Sequence, residues 1–308
     1  MRFRLLSLAA TAATYFLIFV GGLVRVSGAG LGCPDWPKCF GRWIPPVRIE
    51  QIPPEIDPAL FNFTLAWIEY INRLIGVGVG FLILSVALYA IFRFRHRPKI
   101  LFPAILAVVL TAFQGWQGGK VVASELEPML VSVHMAIAFL IVSLLIYVTH
   151  QAYHLDGAKT TLAVEYPAGI TKWAGIMWLL IIIQVIAGTH VRGSIEIMSR
   201  RFPLLNPAEL LAEIGAVSYF HSLLGIIIAL VAMAMGVIVI KDSRDFSSIA
   251  IQCAWALAGL GFFQIIFGMV LFLFGNPPVI QVLHLWIAAL LSGIALLFFL
   301  TLKKGSKT

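Results

Sequence analysis

Eight long apolar runs constrain this chain more than any other feature of its sequence. A helix needs roughly 20 apolar residues to cross about 30 Å of hydrocarbon, and each run is of that order. With 60% apolar and only 12% charged residues, the chain has about half of the charge that soluble domains carry. We therefore expect an all-α integral membrane protein with eight transmembrane helices. The runs cover approximately residues 5–24, 65–92, 101–122, 129–149, 168–190, 217–240, 248–273 and 279–302.

The first run has the basic start of a secretory signal peptide, because Arg2 and Arg4 precede it. Its apolar stretch is longer than a typical signal core, and the internal repeat described below needs it as a helix. We expect it to stay in the protein as the first transmembrane helix.

The distribution of basic residues predicts the orientation of the helices. One side of the bundle carries a net charge of about +9 and the other about −1, so the positive-inside rule places both termini in the cytoplasm of a multi-pass cytoplasmic (inner) membrane protein. Basic residues lie in short clusters between apolar runs rather than on one polar face, which argues against a nucleic-acid partner. Those on the side with more positive charge are Arg2, Arg4, Arg93, Arg95, Arg97, Lys99, Lys159, Lys172, Lys241, Arg244, Lys303, Lys304 and Lys307.

Two of the three cysteines lie close together in the first outer loop. Cys33 and Cys39 flank five residues, on the side of the membrane where disulfides persist. No histidine lies beside them, so the pair is too small for a zinc site. A structural disulfide and a redox-active pair both fit. Cys253 falls inside the seventh run, where we expect it to pack in the core.

An internal repeat indicates that the first four helices are duplicated by the last four. An even number of crossings in each half gives both copies the same orientation, which predicts a pseudo-twofold axis along the membrane normal. We expect two tandem four-helix bundles, residues 1–155 and 156–308. The matched pairs are Phe113 and Phe263, Gln114 and Gln264, Gly118 and Gly268, Pro128 and Pro278, His134 and His284 at an offset of 150, then Asn72 and His221, Leu74 and Leu223, Gly76 and Gly225 at an offset of 149.

Three histidines lie inside apolar sequence within about two turns of the outer end of an even-numbered helix: His134, His221 and His284. An ionisable residue at membrane depth costs roughly 3 kcal/mol unless it has a partner, so each is a functional candidate. His221 and His284 are at equivalent depth on two helices, as axial ligands on the two sides of a heme iron must be. The alternative is that each histidine only hydrogen-bonds a neighbouring helix.

The first half lacks one of these imidazoles. Asn72 stands where the repeat places His221, and Glu69 precedes it by three residues on the same helix face. We expect Glu69 and Asn72 to face the same cavity as His134, and we find no structural reason in the sequence for a buried carboxylate there. An amide is a poorer iron ligand than imidazole, so a heme in this half has one strong axial ligand and one weak or open face. One half therefore resembles an electron-transfer site and the other a reactive one.

Three motifs in this order, together with the eight-helix duplication, resemble the heme A synthase family over nearly the whole chain. The motifs are Gly21, Gly22, Leu23, Val24, Arg25, then Gly30, Leu31, Gly32, Cys33, Pro34, Asp35, Trp36, Pro37, Lys38, Cys39, and then Trp67, Ile68, Glu69, Tyr70, Ile71, Asn72, Arg73.

The resemblance implies an oxidoreductase that oxidises the C8 methyl of heme O to the formyl group of heme A by successive hydroxylations. It implies a heme b held by His221 and His284 in residues 156–308, and a heme O site in residues 1–155. His134 is then the ligand of the substrate iron and Glu69 the catalytic carboxylate. The implied partners are heme O and heme A, heme O synthase, cytochrome oxidase assembly components and the lipid bilayer, and the chain can also form a homo-oligomer.

The chain departs from the family pattern at Asn72, where the family commonly has histidine. Some members also carry a second cysteine pair in the later outer loop, and residues 192–216 contain none. Arg25 and Arg73 lie near the outer ends of the first two helices, where pairing with the propionates of the substrate heme and interfacial snorkelling fit equally.

Two other classes compete with this interpretation. A membrane b-type cytochrome that passes electrons to or from quinone requires two bis-histidine sites and gives Glu69 no role. A transporter without chemistry accommodates the parallel repeat but leaves the placement of the histidines unexplained.

Overall fold

The computed structural model describes residues 1–155, 168–202, 204–205, 209, 213–242 and 246–305. Among these residues, eight long helices are each apolar enough to cross a membrane by length and composition, which confirms the predicted all-α class. Three basic residues that were counted for orientation, Lys159, Arg244 and Lys307, lie outside the described residues. The helices are α1 (Arg2–Val26), α2 (Phe63–Arg93), α3 (Pro98–Ala123), α4 (Pro128–Tyr153), α5 (Ala168–Arg201), α6 (Ala216–Lys241), α7 (Ser248–Phe274) and α8 (Pro278–Gly305).

Local signals set several helix ends. Asn62 caps α2, because its side-chain oxygen accepts the Leu65 N–H at 3.1 Å. Glu127 does the same for α4 by accepting the Leu130 N–H at 2.8 Å. Such side-chain acceptors satisfy backbone donors that the first turn of a helix leaves unpaired. At the other end of α7, Gly275 has a left-handed backbone with φ 75°, which glycine adopts at little cost.

Each half closes into a ring of four helices. In the first half α1 contacts α2, α2 contacts α3, α3 contacts α4 and α4 contacts α1, and helices α5 to α8 follow the same order. Between the halves, α1 packs against α8, α4 against α5, and α4 against α8. Exchanging the two halves maps this set of neighbours onto itself, as the duplication predicts. The pseudo-twofold axis itself stays a prediction.

Two hydrophobic cores follow the same division. One consists of residues from α1 to α4. The other consists mainly of residues from α5 to α8, with Ile18 and Phe139 joining from the first half. Large apolar side chains such as Phe81 and Leu223 remain exposed on the outside of the bundle, as expected for a surface that faces lipid.

The loop between α1 and α2, which is predicted to lie on the outer side, forms a small core of its own. Cys33, Cys39 and Phe40 are buried together against Ala66 of α2. The sulfurs of Cys33 and Cys39 are bonded to each other, which confirms the predicted disulfide. Free Cys253 is buried in α7, also as predicted. The loop therefore sits as a folded cap on the outer end of α2.

Candidate functional site

His134 lies two turns into α4 and is held by an amide on α3. Its Nδ1 is 2.6 Å from Gln117 Oε1, while Gln117 Nε2 donates to the Leu130 carbonyl at 2.9 Å. The second bond fixes the orientation of the amide, and Gln117 is only 3% exposed. Since an amide oxygen can only accept, the imidazole proton sits on Nδ1. The lone pair on Nε2 is therefore left for a metal.

The same face of α3 makes room for this imidazole and fixes its backbone. Gln114 Nε2 donates to the His134 carbonyl at 2.8 Å. A methyl group added at Gly118 would lie 3.6 Å from His134 Cε1, so the ring packs directly on that glycine. Gln114 and Gly118, which both have an identical residue in the second half, therefore both contact His134.

Asn72 and Glu69 lie on α2 but differ in their partners. The side-chain oxygen of Asn72 is buried and has no hydrogen-bond partner among the described residues. A buried acceptor without a partner costs free energy, which fits a site completed by a ligand. Glu69 is only 3% exposed, yet its carboxylate is fully engaged by the protein.

Glu69 and Arg73 join α2 to the disulfide loop, and we call this arrangement the Glu69–Arg73 latch. Glu69 Oε2 accepts the Cys33 N–H at 2.7 Å. Glu69 Oε1 accepts from Arg73 Nε at 3.1 Å and also from Arg73 Nη2. Arg73 Nη1 in turn donates to the carbonyls of Asp35 and Lys38, at 2.9 and 2.8 Å. The expectation that the buried carboxylate has no structural reason was wrong, because it anchors the loop.

The disulfide loop also reaches α3. A methyl group added at Gly119 would come within 2.9 Å of Trp36 Cδ2, so the Trp36 ring lies directly on this glycine. Gly119 follows Gly118, on which His134 packs. The loop therefore bridges the outer ends of α2 and α3, the two helices that carry Glu69 and Gln117. None of the hydrogen bonds described for Glu69 joins it directly to His134, so a shared cavity for the two stays a prediction.

In the second half, His221 of α6 packs against α5. Gln184 Nε2 lies 2.9 Å from His221 Nδ1 and donates to the His221 carbonyl at 2.6 Å. A methyl group added at Gly188 would come within 2.7 Å of His221 Cε1. Because Gln184 Nε2 can only donate, His221 Nδ1 accepts and the ring proton sits on Nε2. Iron binding through Nε2 therefore requires this proton to move to Nδ1, with the Gln184 amide turned so that its buried oxygen, which has no described partner, accepts it.

His284 is the seventh residue of α8, as His134 is of α4. Its Nε2 is 3.2 Å from Gln264 Nε2 of α7, and its Nδ1 is buried without a hydrogen-bond partner in the described part of the chain. A methyl group added at Gly268 would lie 3.5 Å from His284 Cε1, which repeats the packing of His134 on Gly118. Iron binding through Nε2 of His284 requires the Gln264 amide to turn away.

The donors of the second half fit a heme iron better than a bare metal ion. Within the described ranges, no group of three or more His, Cys, Asp or Glu side chains is arranged to hold a metal. Two imidazoles are sufficient for an iron whose other ligands come from a porphyrin. Polar atoms left without described partners, His284 Nδ1, Gln264 Oε1 and Trp286 Nε1, also fit a site that a bound group completes.

Arg25 and Arg192 meet across the interface between α1 and α5 at the outer side. Arg25 Nη2 is 3.8 Å from Glu196 Oε2, and Arg192 Nη1 is 3.9 Å from the same atom. Arg25 therefore forms an ion pair with Glu196 of the second half and does not only extend its side chain towards the membrane surface. Arg73 is drawn to Glu69 and the loop carbonyls in the same way.

Sequence reasoning missed two residues of these sites. Gln117 and Gln184 each contact a histidine through Nδ1, and neither has a matching glutamine in the other half. The signal that was available is that each is an amide inside an apolar run, where a polar side chain needs a partner.

Comparison with known proteins gives a consistent result across the chain. The family model described as cytochrome oxidase assembly protein matches residues 4–296. A heme A synthase of Alkalihalophilus pseudofirmus is 25% identical over 250 residues, covering 80% of this chain and 79% of the relative. That of a Wolbachia endosymbiont of Brugia malayi is 24% identical over 325 residues, covering 94% and 93%. That of Wolbachia pipientis wMel is 25% identical over 324 residues, covering 94% and 89%.

Proposed function

Since this chain belongs to the cytochrome oxidase assembly protein family, we propose that it is an oxidoreductase that converts heme O to heme A. The reaction oxidises the C8 methyl of heme O to a formyl group through successive hydroxylations. The match to the family over residues 4–296, with relatives named heme A synthase along most of their own length, carries this proposal. The proposed enzyme is a multi-pass membrane protein, because eight described helices are long and apolar enough to span the bilayer.

Residues 156–308 hold a heme b between His221 and His284 in this proposal. The buried Nδ1 of His284, which has no described partner, and the close packing of His221 on Gly188 support it. A heme b in this half supplies a one-electron carrier. The protein contributes neutral nitrogen donors, an apolar surround and the Gln184 amide that orients the His221 ring.

Residues 1–155 bind the substrate heme O, with Nε2 of His134 as the ligand of its iron. The Leu130–Gln117–His134 hydrogen-bond chain supports this role, because it fixes both the ring orientation and the tautomer. Asn72, whose buried amide oxygen has no described partner, faces the other side of the iron in this proposal. A weak ligand there leaves the substrate iron with one strong protein ligand.

Glu69 is the proposed catalytic carboxylate. Each hydroxylation of the C8 methyl takes up the oxygen of one water and releases two protons and two electrons, and the electrons go to an external electron acceptor. The loss of electrons builds positive charge on that carbon, and an ionised Glu69 carboxylate stabilises the charge or accepts the proton of the attacking water. The Cys33 N–H and Arg73 support the ionised form, since both donate hydrogen bonds to Glu69. The latch also holds the carboxylate in one position, so little reorganisation precedes the reaction.

The two arginines that were candidates for propionate binding take different roles. Four donor contacts of Arg73 go to Glu69 and the loop carbonyls, which supports a role in positioning Glu69 and the loop above the substrate. Arg25 contacts Glu196 at 3.8 Å and stays the candidate for pairing with a propionate.

The remaining assignments concern the cellular setting. The excess of basic residues near residues 93–99 and at both termini supports a cytoplasmic membrane with both termini inside. Heme O synthase as the supplier of substrate, and cytochrome oxidase assembly components as receivers of heme A, follow from the proposed reaction. A homo-oligomer is compatible with it.

Heme extraction tests the proposed function. The purified protein, produced together with a heme O synthase, is analysed by pyridine hemochrome spectra and by chromatography of the extracted hemes. We expect protoheme together with heme O and heme A. Protoheme alone, under conditions where heme O accumulates in the membrane, would instead identify a b-type cytochrome. No heme of any kind would favour a transporter.

A further inference from the structure

A cavity of about 490 Å³ lies at the opposite end of the first half from the Glu69–Arg73 latch. It opens between the start of α1, the end of α2, the start of α3 and the end of α4. Three arginines from different elements line it: Arg4 of α1, Arg93 at the end of α2, and Arg97 just before α3. The described residues that line it include His96 but no aspartate or glutamate.

The floor of this cavity is apolar and tightly packed. The Phe3 ring lies 5.2 Å from the Tyr89 ring and 4.9 Å from the Phe94 ring, measured between centroids. Phe3 itself is buried. The turn that presents Arg97 is fixed, because the Arg97 N–H donates to the Phe94 carbonyl at 2.8 Å. The backbone that carries the arginines is therefore held by aromatic packing and by a hydrogen bond.

No described residue of the cavity lining carries a negative charge that would balance the three arginines. Arg25, Arg73 and Arg192 at the other end each have a glutamate as partner. Arg4 instead lies over the Tyr153 ring at 5.3 Å, a contact that leaves its charge in place. The nearest acidic residue along the sequence, Asp156, lies outside the described residues and can offset only one of the three charges.

The turn after α6, which corresponds to the turn after α2 in the repeat, does not repeat this cluster of arginines. There the sequence after α6 alternates signs, with Lys241, Asp242, Arg244 and Asp245. A general need for positive charge on the inner side would act on both halves alike. The three arginines around a cavity in the first half therefore indicate that an anionic ligand binds there.

We propose that this cavity binds the phosphate group of an anionic membrane lipid. Guanidinium groups match phosphate in geometry and charge, and basic pockets between transmembrane helices suit lipid head groups. The aromatic floor and the exposed apolar side chains beside it, Leu5 of α1 and Phe92 of α2, favour a ligand with acyl chains over a soluble phosphate. This site is separate from both proposed heme sites and does not depend on them.

Lipid titration of the purified, delipidated full-length protein tests the proposal. Native mass spectrometry and thermal unfolding are followed with phosphatidylglycerol, phosphatidylcholine or inorganic phosphate. We expect phosphatidylglycerol to be retained and to raise the unfolding temperature, with little effect of the other two. The variant Arg4→Gln/Arg93→Gln/Arg97→Gln should lose at least about tenfold in affinity for phosphatidylglycerol, because each arginine near an anionic lipid contributes attraction.

A matched control separates this site from general surface charge. The variant Arg2→Gln/Lys99→Gln/Lys241→Gln removes the same charge from the same side but from outside the cavity lining. It should bind phosphatidylglycerol as the unmodified protein does. Should the triple arginine variant fold poorly, the single change Arg97→Gln, at an exposed position, gives a smaller loss in the same direction. Equal losses in the cavity and control variants would overturn the proposal. Equal binding of phosphatidylcholine, or an equal shift with inorganic phosphate, would also overturn it.

Discussion

The two halves of this protein share one arrangement of helices but treat their histidines differently. In the second half His221 and His284 both lie within the first two turns of their helices, α6 and α8. In the first half only His134 has a matching place, and Asn72 replaces the other imidazole. In the proposed function, the duplicated scaffold therefore holds two hemes that differ in the number of their strong protein ligands.

Two further positions widen this difference. Where the first half has Glu69, the second has Ser218, and where the first has Gln117, the second has Phe267. The carboxylate is thus confined to one copy, whereas each copy holds one histidine through an amide on a different helix, Gln117 on α3 and Gln184 on α5. In the proposed function, divergence of the duplicated halves at a few buried positions separates a reactive site from an electron carrier.

The largest effect is expected from Glu69→Gln, which removes the charge that distinguishes the first half. Glutamine can still accept the Cys33 N–H, so the loop should stay in place while the carboxylate chemistry is lost. We expect heme A formation to fall by about 10²- to 10⁴-fold with heme O still bound. The measurement is heme chromatography after incubation with heme O.

Glu127→Gln is the matched control for that change. Glu127 is another outer carboxylate that accepts a backbone N–H, at 2.8 Å from Leu130. It should leave heme A formation near its normal rate. A Glu69→Gln protein that makes heme A normally would remove Glu69 from catalysis.

A smaller but still large effect is expected from His134→Ala. Without the ligand for the substrate iron, heme O loses its fixed position, and heme A formation should fall by about 10²-fold. The heme b spectrum should be unchanged, since that heme is proposed to lie in the other half. Loss of heme b in this variant would show that the two sites are not divided between the halves.

Gln117→Met tests the residue that fixes the tautomer of His134. Methionine keeps a similar volume but offers no amide oxygen to Nδ1. We expect affinity for heme O to fall by about tenfold, the effect typical of losing a group that orients a metal ligand. The readout is optical titration with heme O, together with the pH dependence of binding, which a purely structural change would leave unmoved. The control is Phe267→Met, at the same repeat position, which should not alter heme O binding.

The smallest effect is expected from Gly188→Ala. The added methyl group would come within 2.7 Å of His221 Cε1, so the ring must shift. We expect heme b to bind more weakly by about 1 kcal/mol, roughly fivefold, with an altered absorption spectrum. Gly22→Ala is the control, because its methyl group would meet only side-chain atoms at 3.6 Å. Identical spectra for both variants would argue against close packing of His221 on α5.

Much of this fold can be predicted from the sequence because its signals are local. The length of each apolar run fixes the helices, and the spacing of Cys33 and Cys39 indicates a disulfide. The depth of the histidines also follows from counting, since His134 and His284 each stand at the seventh position of their helix.

The partners of these residues were harder to predict, because they depend on which helix faces meet. Nothing local shows that Gln117 turns its oxygen to His134, or that Gln184 reaches His221 from α5. The role of Glu69 in anchoring the loop needs the folded path of residues 33–38 above α2. From the sequence, burial of the Glu69 carboxylate indicates a functional role. The structure shows that Glu69 also has structural partners, Cys33 and Arg73.

Counting the hemes in protein made without a heme O supply tests the division of the halves most directly. Electron paramagnetic resonance and iron analysis on the unmodified protein should give one low-spin heme with two imidazole ligands per chain. His284→Ala should abolish that signal, and His134→Ala should leave it intact. Two low-spin hemes per chain, or a signal that disappears with His134→Ala and survives His284→Ala, would contradict the account.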